Sequence, residues 1–218
     1  MRKSELRKIY KEKRKDLSEE QINVFQNKIY EEIFKYDFSS IETIHVFLSI
    51  ERHKEINTHP IIDFLLLNNK KVVVSKSNFK ETTLSHFLFD RSTRLEENHY
   101  GIPEPVNAVE IDVDKIDLVF VPMLISDKKN YRIGYGKGFY DRFLSECKND
   151  VKTIGLNFFE PIDRIEDIHE FDVRALMTET VVALRAIASK EKISLKGKIK
   201  KQDIAREIYD TRQARLTK

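Results

Sequence analysis

The stretch that decides the fold is residues 117–158. It begins with DLVFVP (117–122), continues through the glycine-rich run RIGYGKGFYDRFL (132–144) and ends with TIGLNF (153–158). The first and last runs are short and largely apolar, as strands are, and residues 139–148 between them carry a helical pattern. Because strand, helix and strand follow one another, the two strands are predicted to lie parallel in one sheet.

The same alternation extends toward the N-terminus. Apolar residues recur every three or four positions in the first 36 residues, and Ser18 with Gln21 forms a capping box between two predicted helices. The predicted helices are 3–15, 19–36, 58–69 and 139–148, and the predicted strands are 43–50, 71–76, 84–90, 117–122, 153–158 and 180–184. The expected architecture is a single-domain α/β protein, a three-layer α/β/α sandwich with a largely parallel central sheet.

Charge is distributed unevenly, although the whole chain has a net charge of only +3. Residues 1–15 and 189–218 each carry +6, so the chain between them is acidic. Basic ends favour anionic partners. We expect one catalytic domain over residues 1–188, followed by a basic extension over 189–218 that forms a peripheral helix or is partly disordered.

Cysteine usage and hydropathy indicate the compartment. Cys147 is the only cysteine, so no intrachain disulfide can form, and no Cys/His spacing resembles a zinc site. The most apolar run, 61–67, is interrupted by Asp63 and is far too short to cross a bilayer. We therefore expect a cytoplasmic protein with no membrane association, and we also expect a monomer.

The glycine-rich run predicts an anion site. Gly134, Gly136 and Gly138 allow the backbone to turn back with its amides pointing one way, and the helix that follows adds its positive end. Arg132 and Lys137 supply mobile positive charge to the same place, as a transferring phosphoryl group requires.

The spacing differs from known nucleotide motifs. The third glycine of a dinucleotide fingerprint would fall at Phe139, and no Ser or Thr follows Gly-Lys as in a Walker A loop. Asp141, in the first turn of the predicted helix, complements the helix dipole, and beside a phosphate it becomes a candidate Mg²⁺ ligand.

The run 132–144 resembles the signature of the 5-formyltetrahydrofolate cyclo-ligase family, also called 5,10-methenyltetrahydrofolate synthetases. The similarity extends over roughly residues 3–184. Its ordered matches are KSELR (3–7), LS (17–18), FLS (47–49), EINT (55–58), YGIPEP (100–105), Pro122, Asp127, Gly155, Leu156, Phe158 and the acidic stretch that ends at Asp172.

The chain also departs from the family pattern. Asn130 stands where glycine is usual before the loop, and Asn tolerates left-handed geometry. Tyr135 stands where family members often have a basic residue. Two extra residues lie between Ser49 and Glu55, and Leu176 replaces a common acid.

The resemblance implies an enzyme that converts 5-formyltetrahydrofolate and ATP to 5,10-methenyltetrahydrofolate, ADP and phosphate, with Mg²⁺. In the family mechanism the formyl oxygen attacks the γ-phosphate of ATP, N10 closes the five-membered ring, and phosphate departs. Such phosphoryl transfer depends mainly on positioning and charge neutralisation. No nucleophilic side chain is needed, in keeping with a sequence that offers no Ser/His/Asp or Cys/His constellation.

The resemblance also implies roles for individual residues. Arg132 and Lys137 would be catalytic, nearest the transferring phosphate, while Asp141 and Asp172 would hold Mg²⁺. Folate would contact Leu48, Glu55, Tyr135, Gly136, Lys137, Gly138 and Phe139. ATP would contact Lys3, Ser4, Glu5, Leu6, Arg7, Arg132, Ile133, Gly134, Tyr135, Gly136, Lys137, Gly138, Phe139 and Tyr140.

Two alternatives remain open from the sequence. One is a sugar-phosphate isomerase or CoA-transferase relative of similar fold, whose loop binds phosphate without consuming ATP. The other is a nucleic-acid-binding protein that uses the basic ends. Those ends lack interleaved aromatic residues and a helix-turn-helix pattern, so nucleic acid is not expected as the main partner.

Overall fold

The structure, a computed structural model, describes residues 1–168. Two short 3-10 helices lie at Glu51–His53 and Val113–Lys115. The α-helices are α1 (Lys3–Lys15), α2 (Glu19–Phe34), α3 (His59–Leu67) and α4 (Phe139–Glu146). The strands are β1 (Thr43–His45), β2 (Lys71–Asn78), β3 (Thr83–Phe89), β4 (Arg94–Glu97), β5 (Pro103–Val106), β6 (Leu118–Pro122), β7 (Ile125–Ser126), β8 (Arg132–Ile133) and β9 (Lys152–Leu156).

Five strands form the central sheet in the order β3-β2-β1-β6-β9. Four neighbouring strands, β2, β1, β6 and β9, are parallel, which confirms the prediction of a largely parallel sheet. Strand β3 runs antiparallel to β2 at the edge. Only residues 79–82 connect these two strands, and a parallel pair needs a crossover of a dozen residues or more. Two small antiparallel ribbons, β4-β5 and β7-β8, lie outside the sheet.

Helices cover both faces of this sheet. Alternate strand residues point to opposite faces, so Val72 and Val74 pack in the same cluster as helix α3, whereas Val73 between them packs against Phe143 of α4. Helices α2 and α3 therefore lie on one face and α4 on the other. The three-layer α/β/α architecture is confirmed.

Helix α1 packs on the β7-β8 ribbon rather than on the main sheet. Its Leu6 and Tyr10 share a buried cluster with Ile125 and Ile133. Strand β8 supplies the first two residues of the glycine loop, defined here as residues 132–138. The packing of α1 on this ribbon therefore places the basic N-terminal helix beside the glycine loop.

A buried carboxylate fixes the turn that leads into the loop. Asp127 accepts hydrogen bonds from the backbone amides of Lys129 at 2.9 Å, Tyr131 at 3.0 Å and Ile165 at 3.1 Å. Within the same turn Asn130 has a φ of 66°, the left-handed geometry that the Asn in place of glycine was expected to tolerate.

Some predicted boundaries differ from the structure. Strand β1 ends at His45 rather than at residue 50, and helix α4 ends at Glu146 because Cys147 has extended dihedral angles. The predicted strand 180–184, Asp172, Leu176 and the proposed domain boundary at 188 lie outside the described residues. Within residues 1–168, no helix is both long enough and apolar enough to span a bilayer.

Candidate active site

A cavity of about 820 Å³ opens at the carboxyl ends of the parallel strands. Its walls come from α1, the segment that follows β1, the second half of β2 and the glycine loop. Ligands of open α/β sheets bind in this position because the loops that follow parallel strands gather at one edge.

The glycine loop presents a turned backbone to the cavity. Gly136 and Gly138 have φ values of 88° and 80°, in the left-handed region that favours glycine, whereas Gly134 has ordinary geometry. Gly138 is also the N-cap of α4, so the unpaired amides of that helix begin where the loop ends. The predicted anion cradle thus has the backbone geometry it requires.

Arg7 lies across this loop. Its Nε donates a hydrogen bond to the carbonyl of Gly134 at 3.1 Å. A Cβ atom at Gly136 would sit only 2.8 Å from the Arg7 Cζ, so glycine at this position leaves the space that the guanidinium occupies. Lys3, one turn earlier on α1, lines the same cavity. The structure therefore brings both predicted cations of α1 to the cavity, and Arg7 contacts the glycine loop directly.

Arg132 and Lys137 differ in how firmly they are held. The Arg132 side chain is only 6% exposed and forms an ion pair with Asp141, with 2.5 Å between Nη2 and Oδ1. Lys137 is exposed at the tip of the loop, and both residues line the cavity. Arg132 is thus a fixed charge, while Lys137 can follow a moving group.

The predicted folate residues all line the cavity. Leu48 is buried and lines the cavity. The Glu55 carboxylate accepts a hydrogen bond from the Ile50 amide at 2.9 Å and keeps part of its surface toward the cavity. Burial raises the pKa of Glu55, and the Ile50 amide, the Arg14 charge and the Tyr135 hydroxyl partly oppose that rise.

Arg14 is a cavity residue that the sequence analysis missed. Its guanidinium is buried, and it donates to the Tyr135 hydroxyl at 2.9 Å and to the carbonyl of Met123. The sequence held one signal, because Arg14 follows Arg7 by seven residues and therefore shares its helix face. His53 was also missed, and its ring stacks on that of Tyr135 at 5.0 Å between centroids.

Three predicted ATP residues do not line the cavity with their side chains. Leu6 belongs to the core cluster under α1, Ser4 is exposed, and the Glu5 carboxylate accepts a hydrogen bond from the Arg2 amide at 3.2 Å. The second predicted metal ligand, Asp172, lies outside the described residues.

A chain of buried polar groups lies beneath the cavity. His45 Nε2 is 2.8 Å from Ser75 Oγ, which is 3.0 Å from His86 Nδ1. Burial lowers the pKa of both imidazoles, to about 4 for His86, so both are neutral at pH 7. Both histidines are buried, and His45 also lines the cavity. Within residues 1–168, no group of three or more His, Cys, Asp or Glu side chains could hold a metal ion.

Comparison with known proteins identifies the family. A sequence profile of the 5-formyltetrahydrofolate cyclo-ligase family matches residues 1–174. A 5-formyltetrahydrofolate cyclo-ligase of Haemophilus influenzae is 34% identical over 98 residues, which cover 44% of this chain and 52% of that protein. The chain thus spans about half the length of that relative. A probable 5-formyltetrahydrofolate cyclo-ligase of Caenorhabditis elegans is 29% identical over 78% of this chain and 88% of its own.

Solved structures agree with the sequence comparison. The 5,10-methenyltetrahydrofolate synthetase of Aquifex aeolicus superposes with a TM-score of 0.66 at 26% identity, covering 80% of this chain and 87% of that one. The synthetase of Mycoplasma pneumoniae gives a TM-score of 0.63 at 26% identity, covering 81% and 96%. With its fold, its glycine loop and the profile match in agreement, the chain belongs to the 5-formyltetrahydrofolate cyclo-ligase family.

Proposed function

We propose that the protein converts 5-formyltetrahydrofolate to 5,10-methenyltetrahydrofolate while ATP is cleaved to ADP and phosphate, with Mg²⁺ as cofactor. The observation that carries this proposal is the convergence of Arg7 with the left-handed glycines of the loop and the N-terminus of α4. Backbone amides, a helix N-terminus and a guanidinium at one cavity edge suit a polyphosphate.

Four cationic side chains would neutralise the triphosphate. Lys3 and Arg7 approach from α1, and Arg132 and Lys137 belong to the loop. As the formyl oxygen bonds to the γ-phosphorus, the bond to the ADP oxygen breaks and negative charge spreads over the transferring group. The fixed charge of Arg132 would orient that group, and the exposed Lys137 would move with it.

Asp141 fits the role of a magnesium ligand. Its side chain is 44% exposed at the cavity, and its carboxylate is the hard oxygen donor that Mg²⁺ prefers beside phosphate oxygens. Asp141 would then serve both the metal and Arg132, and Asp172 would be a second ligand. When bound, the metal would offset phosphate charge during transfer.

The folate would occupy the wall formed by Leu48, Glu55 and loop residues 135–139. Tyr135 and Phe139 offer aromatic faces for a pterin or aminobenzoyl ring, and the cavity volume lies in the upper range of small-molecule sites. Ring closure then forms the bond from N10 to the formyl carbon. N10 loses its proton, and the carbon–oxygen bond breaks as phosphate leaves.

The proposal is tested by the stoichiometry of product formation. Purified protein should release ADP only when 5-formyltetrahydrofolate is present, in step with methenyltetrahydrofolate formation. Lys137→Ala should lower kcat by about a hundredfold with little change in thermal stability, because charge stabilisation of this kind is lost without loss of packing. Lys129→Ala, at an exposed lysine before the loop, is the matched control.

A folded protein that releases no ADP would contradict this function. It would favour a phosphate-binding isomerase or transferase of similar fold that does not consume ATP. If Lys137→Ala kept a near-normal kcat, Lys137 would have no part in the chemistry.

A further inference from the structure

Arg14 is a charged residue in an unusual position for a helix of such basic composition. Its neighbours Lys13 and Lys15 are exposed, whereas Arg14 is 4% exposed and lines the cavity. Two of its nitrogens donate, one to the Tyr135 hydroxyl and one to the carbonyl of Met123. Its Nε has no hydrogen-bond acceptor among the residues that the structure describes.

A buried charge with an unsatisfied hydrogen-bond donor contributes little to folding stability. Removing a guanidinium from water is costly, and a well-packed apolar side chain usually serves stability as well or better. The carbonyl of Met123 needs only one donor, which a neutral group could supply. The placement of Arg14 therefore points to its other partner, Tyr135, and to what that side chain contacts next.

Tyr135 connects Arg14 to the folate wall. Its hydroxyl accepts a hydrogen bond from Arg14 at 2.9 Å, and the same hydroxyl stabilises the charge of Glu55, which lines the cavity with it. The ring is held from other sides, by the stacked imidazole of His53 and by the Lys11 ammonium at 5.3 Å from its centroid. The hydroxyl is thus held by one charged residue, Arg14, and acts on another, Glu55, and all three residues line the cavity.

We propose that Arg14 is a positioning residue for folate binding, an inference that rests on the proposed function. Through the Tyr135 hydroxyl and by its charge, it keeps Glu55 ionised and directed into the cavity. There the carboxylate accepts hydrogen bonds from N–H groups of the reduced pterin. A bond from N–H to an ionised carboxylate is about twice as strong as a neutral one, so the ionisation of Glu55 determines folate affinity.

The charged and titratable groups around Glu55 fix the direction of the pH effect. Arg14 faces it from α1, Tyr135 from the glycine loop and Tyr140 from α4. Burial raises the pKa of each tyrosine, so both stay neutral at pH 7. Arg14 is then the charge that opposes protonation of Glu55, and its removal should raise the pKa of that carboxyl further.

The test is the pH dependence of kcat/KM for 5-formyltetrahydrofolate at saturating ATP. Arg14→Met should move the acid limb of the profile to higher pH by about one unit, as expected when an opposite charge is removed beside a carboxylate. Tyr135→Phe should move it in the same direction by less. The KM for ATP should stay near the wild-type value in Arg14→Met.

Two further variants separate this role from a structural one. Lys13→Met removes the same charge from an exposed site on the same helix and should leave the limb in place. Arg14→Lys keeps the charge and should restore the limb to near its wild-type position. The inference would be overturned if Arg14→Met were active and the acid limb of its kcat/KM profile were unshifted. A uniform loss of activity at every pH would also overturn it.

Failure of the proposed function gives a different result. If the wild-type protein made no ADP, the effect of Tyr135 on the ionisation of Glu55 could still be measured. The experiment is a ¹³C carboxyl NMR titration of Glu55 in the wild type and in Tyr135→Phe. The pKa of Glu55 should be higher in the variant, and an equal pKa in both proteins would refute the role of the Tyr135 hydroxyl. Tyr135→Phe keeps the ring and its stacking on His53, so this variant can replace Arg14→Met in the test if Arg14→Met does not fold.

Discussion

A methyl group at Gly136 should damage the nucleotide side of the cavity more than a methyl group at either neighbouring glycine. The substitution Gly136→Ala places a Cβ 2.8 Å from Arg7 Cζ and 2.9 Å from Arg7 Nε. Ordinary contacts begin near 3.4 Å, so the guanidinium would have to move by more than half an ångström. Its hydrogen bond to the Gly134 carbonyl would then be lost.

The magnitude combines two contributions. Alanine in the left-handed region costs about 1–2 kcal/mol. The lost hydrogen bond adds about 1 kcal/mol, so the free energy of unfolding should fall by about 2–3 kcal/mol. If Arg7 also loses a contact with phosphate, worth about 1.5–3 kcal/mol, the KM for ATP should rise by about ten- to a hundredfold.

The other two glycines supply matched controls. Gly138 has a similar φ of 80°, but a Cβ there meets nothing within 4 Å, so Gly138→Ala should cost only the backbone strain of about 1–2 kcal/mol. Gly134 has ordinary geometry, and its Cβ would lie 3.9 Å from the Pro122 carbonyl. We expect Gly134→Ala to change stability little.

Urea unfolding and steady-state kinetics measure both contributions. In an Arg7→Met background, Gly136→Ala should cost the strain alone, because the colliding guanidinium is gone. The reasoning is refuted if Gly136→Ala and Gly138→Ala raise the KM for ATP equally, or if Arg7→Met leaves the cost of Gly136→Ala unchanged.

Two further predictions concern titration and the metal. The pKa of His86 is lowered from 6.5 to about 4. Neutral His86 therefore contributes fully to stability above pH 6.5, and this contribution is lost as pH falls toward 4. The loss in the free energy of unfolding reaches about 2 kcal/mol at pH 5. Urea unfolding of His86→Gln should show correspondingly less destabilisation between pH 7 and pH 5, whereas His99→Gln, at an exposed histidine, should follow the wild type. Asp141→Asn should raise the Mg²⁺ concentration for half-maximal activity by more than about tenfold, because the loss of even an outer-shell partner of a metal ligand costs about 10–100-fold in metal affinity. Asp163→Asn, at an exposed carboxylate, should leave the Mg²⁺ requirement unchanged. Equal Mg²⁺ requirements in the two variants would remove Asp141 from the metal site.

The sequence predicts elements well because they depend on local patterns. The period of apolar residues indicated α1 and α2, and the capping box at Ser18 is present as predicted, with the Gln21 amide donating to Ser18 Oγ at 3.2 Å. Alternation of strand and helix indicated the parallel sheet. The glycine loop stood out because positive φ demands a residue type that is visible in the sequence.

Other parts of the site depend on contacts between distant residues. Arg14 and Tyr135 are 121 positions apart, and a basic residue on a basic helix is normally exposed, so nothing local indicates that Arg14 is buried. His45, Ser75 and His86 lie on three different strands, and only the pairing of those strands brings them together. The antiparallel direction of β3 likewise follows from a short connection rather than from strand composition.

The packing of α1 on the β7-β8 ribbon has a thermodynamic consequence. Arg7 belongs to a helix that packs on the ribbon through Leu6 and Tyr10. The observed affinity for nucleotide is therefore the intrinsic affinity multiplied by the fraction of molecules in which this helix is docked. Linkage is reciprocal, and bound nucleotide must hold α1 in place by the same factor. Amide hydrogens of the first helix should therefore exchange more slowly when ATP is bound, even though most of that helix does not touch the ligand.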